Sequence, residues 1–555
     1  MNLIISANRW NDRIVQNLLQ LQVKEGTPLD IGGMWSPDKG FVEPASSARM
    51  ADAFLAAYYS PHSVYRGQDI VLNAAQQAME NILRNMHEDG TIDLLETNFH
   101  DSTANAFNTQ VLCYTYRMMK RKTRHTPQED AIEALLHAFL AGSARAMVNG
   151  GFHTPNHRWV MASALALCHR ELGLEDCRAR MMEYLDEGID CDGEGEYTER
   201  SVAIYDIACD QSLLILLREE DMPELMEPVL RNLLKLPYYI EPDGVVATLN
   251  SRRQDFGKDL YPYPYLLNCL FALYAPHDTA DERFRRVAGI CEYLYAQYQE
   301  MEETVVLPPD AGQFVTQFML HPALARCDYP GIPVQTAYRR FFPNAGVVRF
   351  RSGKAALTLV RERPVFLKLQ VGRLVLMLRA ASSFFAAGQL LSPAIGEIEG
   401  GWRLHRHSEG GYMRPLGKRA GSTVWEEIPR EKREWVNIQT LDWTLDVLAF
   451  DDRVELKLSV DGCRRLPWKL EAILTPGGRL ESPEGEFSTQ AGVTAVLERG
   501  FAYRLGGDCI RWSDGLKQHV YTETMRNSLP REGKAFTVYN TGFAPGTHSV
   551  TLTWE

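Results

Sequence analysis

The sequence predicts a multidomain α+β protein, with a helical N-terminal half over residues 1–330 and an antiparallel β-sandwich over 331–555. Three observations carry this. Apolar residues recur with helical period as far as about residue 330, and the composition changes at Cys327-Asp328-Tyr329-Pro330-Gly331-Ile332-Pro333. Beyond that point come short alternating stretches bounded by Gly, Asp and Pro. At 555 residues the chain also exceeds what one hydrophobic core normally serves.

The helices follow in order. Ile14, Leu18, Leu19 and Leu21 form an early apolar stripe. Patterns over 45–59, 67–86 and 103–121 come next. Thr126-Pro127-Gln128-Glu129 is a capping box that opens the stripe Ile132, Leu135, Leu136, Phe139, Leu140. Thr154-Pro155 reads as an N-cap with proline at the first helical position, starting a helix over 155–171. Further helices fit 174–187, 200–218, 223–235, 262–274, 280–300 and 312–325. Similar lengths and short loops predict stacked helical hairpins, closed into a toroid or wound as a superhelix. Strands are predicted at Gly346–Arg351, Ala356–Val360, Leu367–Val371, Val454–Val460 and Ser549–Trp554, where alternation is clearest. Two such domains leave a cleft, a favoured place for a ligand.

Composition narrows the function. Hydrophobic residues make up 45% and charged residues 23%, as in an ordinary folded protein without a disorder signature. The net charge of −12 argues against a nucleic-acid surface, but a local basic pocket remains compatible with an anionic substrate. The ten cysteines form no CxxC pair, so neither a zinc nor a disulfide framework is suggested, and a reducing compartment is favoured. The opening Met1-Asn2-Leu3-Ile4-Ile5-Ser6 lacks the length and basic lead of a signal peptide, and no apolar run approaches transmembrane length. The expectation is a cytoplasmic protein without a membrane partner.

The stretch Gly151–Tyr205 carries the chemistry. Asn156 and His157 sit in the first turn of a predicted helix, where unpaired N–H groups favour a carboxylate. The acidic glycine-containing loop Asp192–Ser201 then leads into a helix bearing Tyr205. An amide, an imidazole and a phenol together can neutralise an acid group, take a proton and return one.

Asn156-His157, the loop 192–201 and Tyr205 together resemble the heparinase II/III-like polysaccharide lyases, which include oligoalginate lyases and heparin/heparan lyases. Three other stretches fit. Glu96–Asp101, with Asn98, Phe99 and His100, resembles a segment lining the family's substrate channel. Asn250–Asp255, with Arg252 and Arg253, resembles a basic loop near the cleft. Phe384-Phe385 through Gly400-Gly401-Trp402 and Gly411-Tyr412-Met413-Arg414-Pro415 resemble the start of the β-domain. The resemblance implies an incomplete α/α toroid followed by antiparallel sheets, and β-elimination at a uronic acid. It implies Asn156 as carboxylate neutraliser, His157 as base or neutraliser, Tyr205 as general acid or as both acid and base, and His405 or His407 as a β-domain histidine. The loop departs from the family's usual wording, and the Asn-to-Tyr interval is shorter, which leaves Tyr197 open beside Tyr205.

Elimination needs the carboxylate neutralised, a proton removed from carbon 5, and a proton given to the leaving oxygen. An amide at the developing enolate is worth about 3–4 kcal/mol in such roles. Histidine titrates near neutrality and suits the base. Arg200, Arg252 and Arg253 can grip acid groups. Trp35, Phe99, Trp159 and the tyrosines Tyr261, Tyr263 and Tyr265 can stack on sugar rings, although most aromatics are core. Each residue has a plainer role open: Asn156 and His157 as a helix cap, Tyr205 and Tyr197 as packing, His405 and His407 as surface histidines or part of a structural metal site. The expected ligand is a uronate-containing oligosaccharide or polysaccharide, alginate-like or a glycosaminoglycan. No cofactor or catalytic metal is required, and a homodimer is compatible with such folds. Two rivals stay open: a glycoside hydrolase using carboxylates among Asp192, Glu194 and Glu199, and a non-catalytic carbohydrate-binding protein.

Overall fold

The computed structural model describes residues 3–278, 280–301, 312–326, 330–385 and 387–555. Cys327, Asp328 and Tyr329 of the compositional break lie outside the described residues. The chain divides into two compact units, Met1–Pro237 with Tyr261–Val334, and Tyr238–Leu260 with Gln335–Glu555.

The first unit is an incomplete α/α toroid. Its helices are α1 (Leu3–Leu21), α2 (Pro44–Tyr59), α3 (Asp69–Arg84), α4 (Ser102–Lys120), α5 (Pro127–Asn149), α6 (Pro155–Leu172), α7 (Glu175–Leu185), α8 (Tyr205–Glu220), α9 (Met226–Tyr239), α10 (Tyr265–Tyr274), α11 (Glu282–Met301) and α12 (Gly312–Leu320). Neighbour contacts run α12–α2–α4–α6–α8–α10, an inner layer, with α3, α5, α7 and α11 packed outside it. The inner helices are buried nearly all round and use small residues, such as Ala51, Ala53 and Ala57 on α2 and Ala162, Ser163 and Ala166 on α6. Small side chains let helix axes approach, and an all-round buried helix belongs inside.

Buried polar groups fix the register of that layer. Gln110 Nε2 of α4 donates to Ser163 Oγ of α6 at 2.7 Å and to Ser212 Oγ of α8 at 2.9 Å. Asp52 Oδ1 of α2 accepts from Thr115 Oγ1 of α4 and Thr316 Oγ1 of α12, both at 2.7 Å.

Several boundaries differ from the sequence reading. The Thr126 capping box forms, with Thr126 Oγ1 accepting from Glu129 N and Glu129 reaching back to Thr126 N. The helix predicted from 200 begins at Tyr205, because Arg200 takes a left-handed φ of 53° and Ser201–Ile204 turn. Two short hairpins in the helical half, Trp35–Ser36 with Phe41–Val42 and Ile92–Leu94 with Asn98–Asp101, were not predicted. On length and composition α5 does qualify to cross a membrane, contrary to the sequence reading. It packs against α3, α4 and α6, as a core helix does.

The second unit is a β-sandwich of two sheets. One runs Thr494–Val496, Phe536–Phe543, Pro467–Leu474, Leu374–Phe384, Leu367–Val371, Ala355–Val360, Val347–Ser352, Tyr338–Phe342, with Ala387–Gln389 paired to Leu374–Phe384. The other runs Ile395–Ile398, Gly401–Met413, Trp435–Ala449, Arg453–Gly462, Gly546–Trp554, Asp508–Trp512, Phe501–Leu505, Arg479–Ser482, Gly485–Ser488. Among the named strands the pairings are antiparallel except Thr494–Val496 with Phe536–Phe543, and an isolated bridge between Lys517 and Thr541 is also parallel. Alternate residues such as Leu357, Leu369 and Leu376 from one sheet and Leu404, Leu445 and Leu456 from the other form a single core.

Residues 238–260, which the sequence division left in the helical half, cluster with the sheets. The cause is a buried ion pair that no periodicity reveals. Glu241 binds Arg349 at 2.8 Å and Lys368 at 3.2 Å, and Arg349 Nε donates to Tyr238 O at 2.8 Å. Burial alone pushes a carboxyl upward, but Arg349 and Lys368 hold Glu241 down to about 2.

Candidate active site

The N-terminus of α6 brings together several of the residues singled out in the sequence. Thr154 has the extended backbone of an N-cap and Pro155 stands at the first helical position, yet Thr154 makes no side-chain cap. Its Oγ1 accepts instead from Asn156 Nδ2 at 3.1 Å. The same nitrogen donates to Glu199 Oε2 at 2.6 Å, 43 residues along the chain. Both N–H hydrogens of the Asn156 amide are therefore engaged within the protein, whereas the expected neutraliser presents its N–H groups to a ligand. Asn156 Oδ1 is buried with no hydrogen-bond partner among the described residues.

His157 is buried beside Asn156. Its ring meets His153 edge-on, centroids 5.0 Å apart, and Phe107 of α4 at 6.3 Å. His153 is exposed, and its Nε2 lies 3.5 Å from Asn98 Nδ2. Asn98 also donates to Asp101 Oδ2 at 2.9 Å, and Asp101 caps α4 through Thr103 N at 2.8 Å. Thus Asn98, His153, His157, Asn156 and Glu199 form a chain of neighbours from a hairpin, the start of α6 and a loop. Phe99, on the same hairpin, is 67% exposed. Sequence reasoning passed over His153 and Phe107, and met Glu199 only as a hydrolase candidate. His153 was signalled only by standing within the Phe152–Trp159 stretch.

The loop 190–204 is built to hold Glu199 in place. Asp192 Oδ1 accepts from Glu194 N at 2.8 Å and Glu196 N at 3.0 Å. Gly195 has φ +84°, and a Cβ there would lie 2.3 Å from Arg231 O, so the close approach to α9 needs glycine. Buried Lys235 of α9 pairs with Asp206 at 2.9 Å and Glu196 at 3.3 Å. Tyr265 OH donates to Val202 O at 2.9 Å. Tyr205, half-buried, opens α8 with its N–H on Ser201 Oγ at 3.2 Å, six residues after Glu199.

Other predicted residues are placed differently. Tyr197 is buried and donates to Asp210 Oδ1 at 2.9 Å, and burial followed by the Asp210 charge raises its phenol well above the ordinary value. It is a packing residue and does not reach a sugar. Trp159 is also fully buried, its Nε1 donating to Asp190 Oδ1 at 2.7 Å and Arg158 lying 4.4 Å over its ring. It braces the loop and stacks on nothing outside. His100 adopts φ +51° and turns its ring to Asp89 Oδ2 at 2.9 Å and onto His87 at 3.9 Å. Arg200 and Tyr261 are half-buried in this unit.

In the second unit, Arg252 is exposed and Arg253 half-buried, on a loop where Ser251 binds Asp255. His405 and His407 share the outward face of Gly401–Met413, with Asp442 Oδ1 at 3.3 and 2.9 Å. Hydrogen bonds to Asp442, then to Glu409, raise His407 above its ordinary value. Among the described residues, no group of three or more His, Cys, Asp and Glu is arranged to hold a metal ion. Tyr412 is exposed on the same hairpin.

No protein-family model matches this sequence. No curated protein matches it either. Solved structures do. Paenibacillus xanthan lyase superposes with a TM-score of 0.58 at 9% identity, over 99% of this chain and 57% of that one. This chain thus spans little more than half of that protein. Streptomyces coelicolor A3 chondroitin AC lyase, in complex with chondroitin sulphate, gives 0.55 at 12% identity, over 99% and 79%. A mutant heparan sulfate lyase from Pedobacter heparinus gives 0.51 at 12% identity, over 98% and 82%. At such identities the likeness establishes the fold: a helical toroid followed by a β-sandwich.

Proposed function

We propose that this protein is a carbon–oxygen lyase that cleaves a uronic-acid-containing glycan by β-elimination, leaving an unsaturated uronate end. The observation that carries the reading is the cluster at the start of α6, where buried Asn156, with buried His157 beside it, meets Glu199 on the loop that delivers Tyr205. Support for an acidic glycan comes from the three lyases that share the fold.

In this scheme the uronate carboxylate is received by the Asn156–Glu199 pair. Two carboxylates at one site share a proton, because two adjacent negative charges are disfavoured. Neutralised in that way, the acid group makes the carbon-5 proton removable. His157 takes that proton, the carbon 4–oxygen bond breaks as the carbon 4–carbon 5 double bond forms, and Tyr205 protonates the leaving oxygen. Asp192, which a hydrolase would draw on, is engaged by the loop amides of Glu194 and Glu196.

The test follows the ultraviolet absorbance of the new alkene on a panel of uronate oligosaccharides. Absorbance that rises with the wild type and fails with Tyr205→Phe and His157→Ala supports the lyase. New reducing ends without absorbance overturn it in favour of hydrolysis.

A further inference from the structure

Strands Gly401–Met413 and Trp435–Ala449 form a long hairpin whose far end carries the connection 414–434 and a group of exposed aromatics. Tyr412 is 62% exposed, Trp425 51% and Trp435 50%. Aromatic side chains ordinarily bury most of their surface, so three within one hairpin end need an occupant. Two glycines clear space for this surface. A Cβ on Gly410 would lie 2.2 Å from the ring of Phe385, which meets Tyr412 edge-on at 5.6 Å. A Cβ on Gly411 would crowd Trp435 Cε3 at 3.2 Å.

Charge identifies the occupant. The guanidinium groups of Arg430 and Arg433 lie 5.5 and 5.6 Å from the centre of the Trp425 ring. Neither has a carboxylate partner among the described residues, and Lys432 between them has none either. The connection is more basic than acidic in a protein of net charge −12. Arginines stacked on an indole keep their N–H forks free for planar acid groups, and aromatic faces take the apolar faces of sugar rings.

We infer that this hairpin end is a binding surface for a segment of acidic glycan, with Arg430 and Arg433 on carboxylate or sulfate groups and Tyr412 and Trp435 against sugar rings. It rests on the reading of the substrate as an acidic glycan, but requires no turnover.

The test is native gel electrophoresis of the full chain through gels cast with alginate, with chondroitin sulfate, or with neutral dextran. Retardation by an acidic polymer and not by dextran is expected, and Tyr205→Phe should retain it, which separates binding from elimination. Arg430→Ala/Arg433→Ala should weaken the apparent affinity at least tenfold while cleavage of a short oligosaccharide is unchanged. Both positions are surface-accessible, so unchanged circular dichroism is the folding control. Equal retardation of wild type and double variant overturns the inference, as does no retardation by either acidic polymer. So does a Trp425→Ala/Trp435→Ala variant that changes only the molecular mass in light scattering, which would make this face a contact between two copies.

Discussion

The Asn156 amide donates to Glu199 Oε2 at 2.6 Å, and both partners are more than nine-tenths buried. A buried amide on a buried carboxylate holds each group in one orientation and ties the loop 190–204 to the start of α6. It also separates two ways of meeting a substrate acid group. An amide with free N–H groups would donate to a carboxylate directly, whereas the proposed scheme has this pair meet it through a shared proton.

Glu199→Gln should keep the fold and lower kcat/KM by roughly 10²–10³, the scale of losing one preorganised group at a site of developing charge. Glu199→Ala should in addition cost about 1–3 kcal/mol, because an Asn156 N–H is left buried and unsatisfied. Alkene absorbance and denaturant unfolding check the two effects separately. Full activity in Glu199→Gln would sink the shared-proton scheme.

Tyr205→Phe and Tyr197→Phe should behave oppositely. The first removes a half-buried hydroxyl at the start of α8, so activity should vanish with little change in melting temperature. The second strips buried Asp210 of its donor, so stability should fall by about 1–3 kcal/mol while folded protein keeps its activity. A reversed pattern would make Tyr197 the acid.

Trp159→Phe should lower stability by about 1–2 kcal/mol through the lost bond to Asp190 and leave KM unchanged. A several-fold rise in KM with unaltered stability would return Trp159 to the substrate.

Acid should destabilise the second unit through Glu241. Its carboxyl is held near 2 against an ordinary value of 4.5, so the stabilisation is full above the ordinary value and is lost as pH falls from 4.5 towards 2. Glu241→Gln should be less stable at neutral pH and show a shallower decline across that window. Urea unfolding at a series of pH values reads both, and parallel curves would contradict the assignment.

Much of this architecture was legible in the sequence where the signal is local. The Thr126–Glu129 capping box, the proline after Thr154 and the alternation in Val454–Val460 each act over a few residues, and each element formed there. What was not legible depends on partners far along the chain. Trp159 read as a sugar platform because its strut, Asp190, is 31 residues away. Tyr238–Leu260 lacked any pattern to join it to the sheets, since Glu241 and Arg349 are 108 residues apart. The start of α8 was misplaced because a left-handed Arg200 carries no compositional mark. At the site, Asn156 and His157 were legible as residues, but the engagement of the Asn156 donors was not.

Gln110 has a mechanical consequence. One side-chain nitrogen joins α4 to both α6 and α8, so none of these helices can slide along its neighbours without breaking a buried bond. The spacing of α4, α6 and α8 is thereby set by the scaffold, like jaws locked at a fixed gauge.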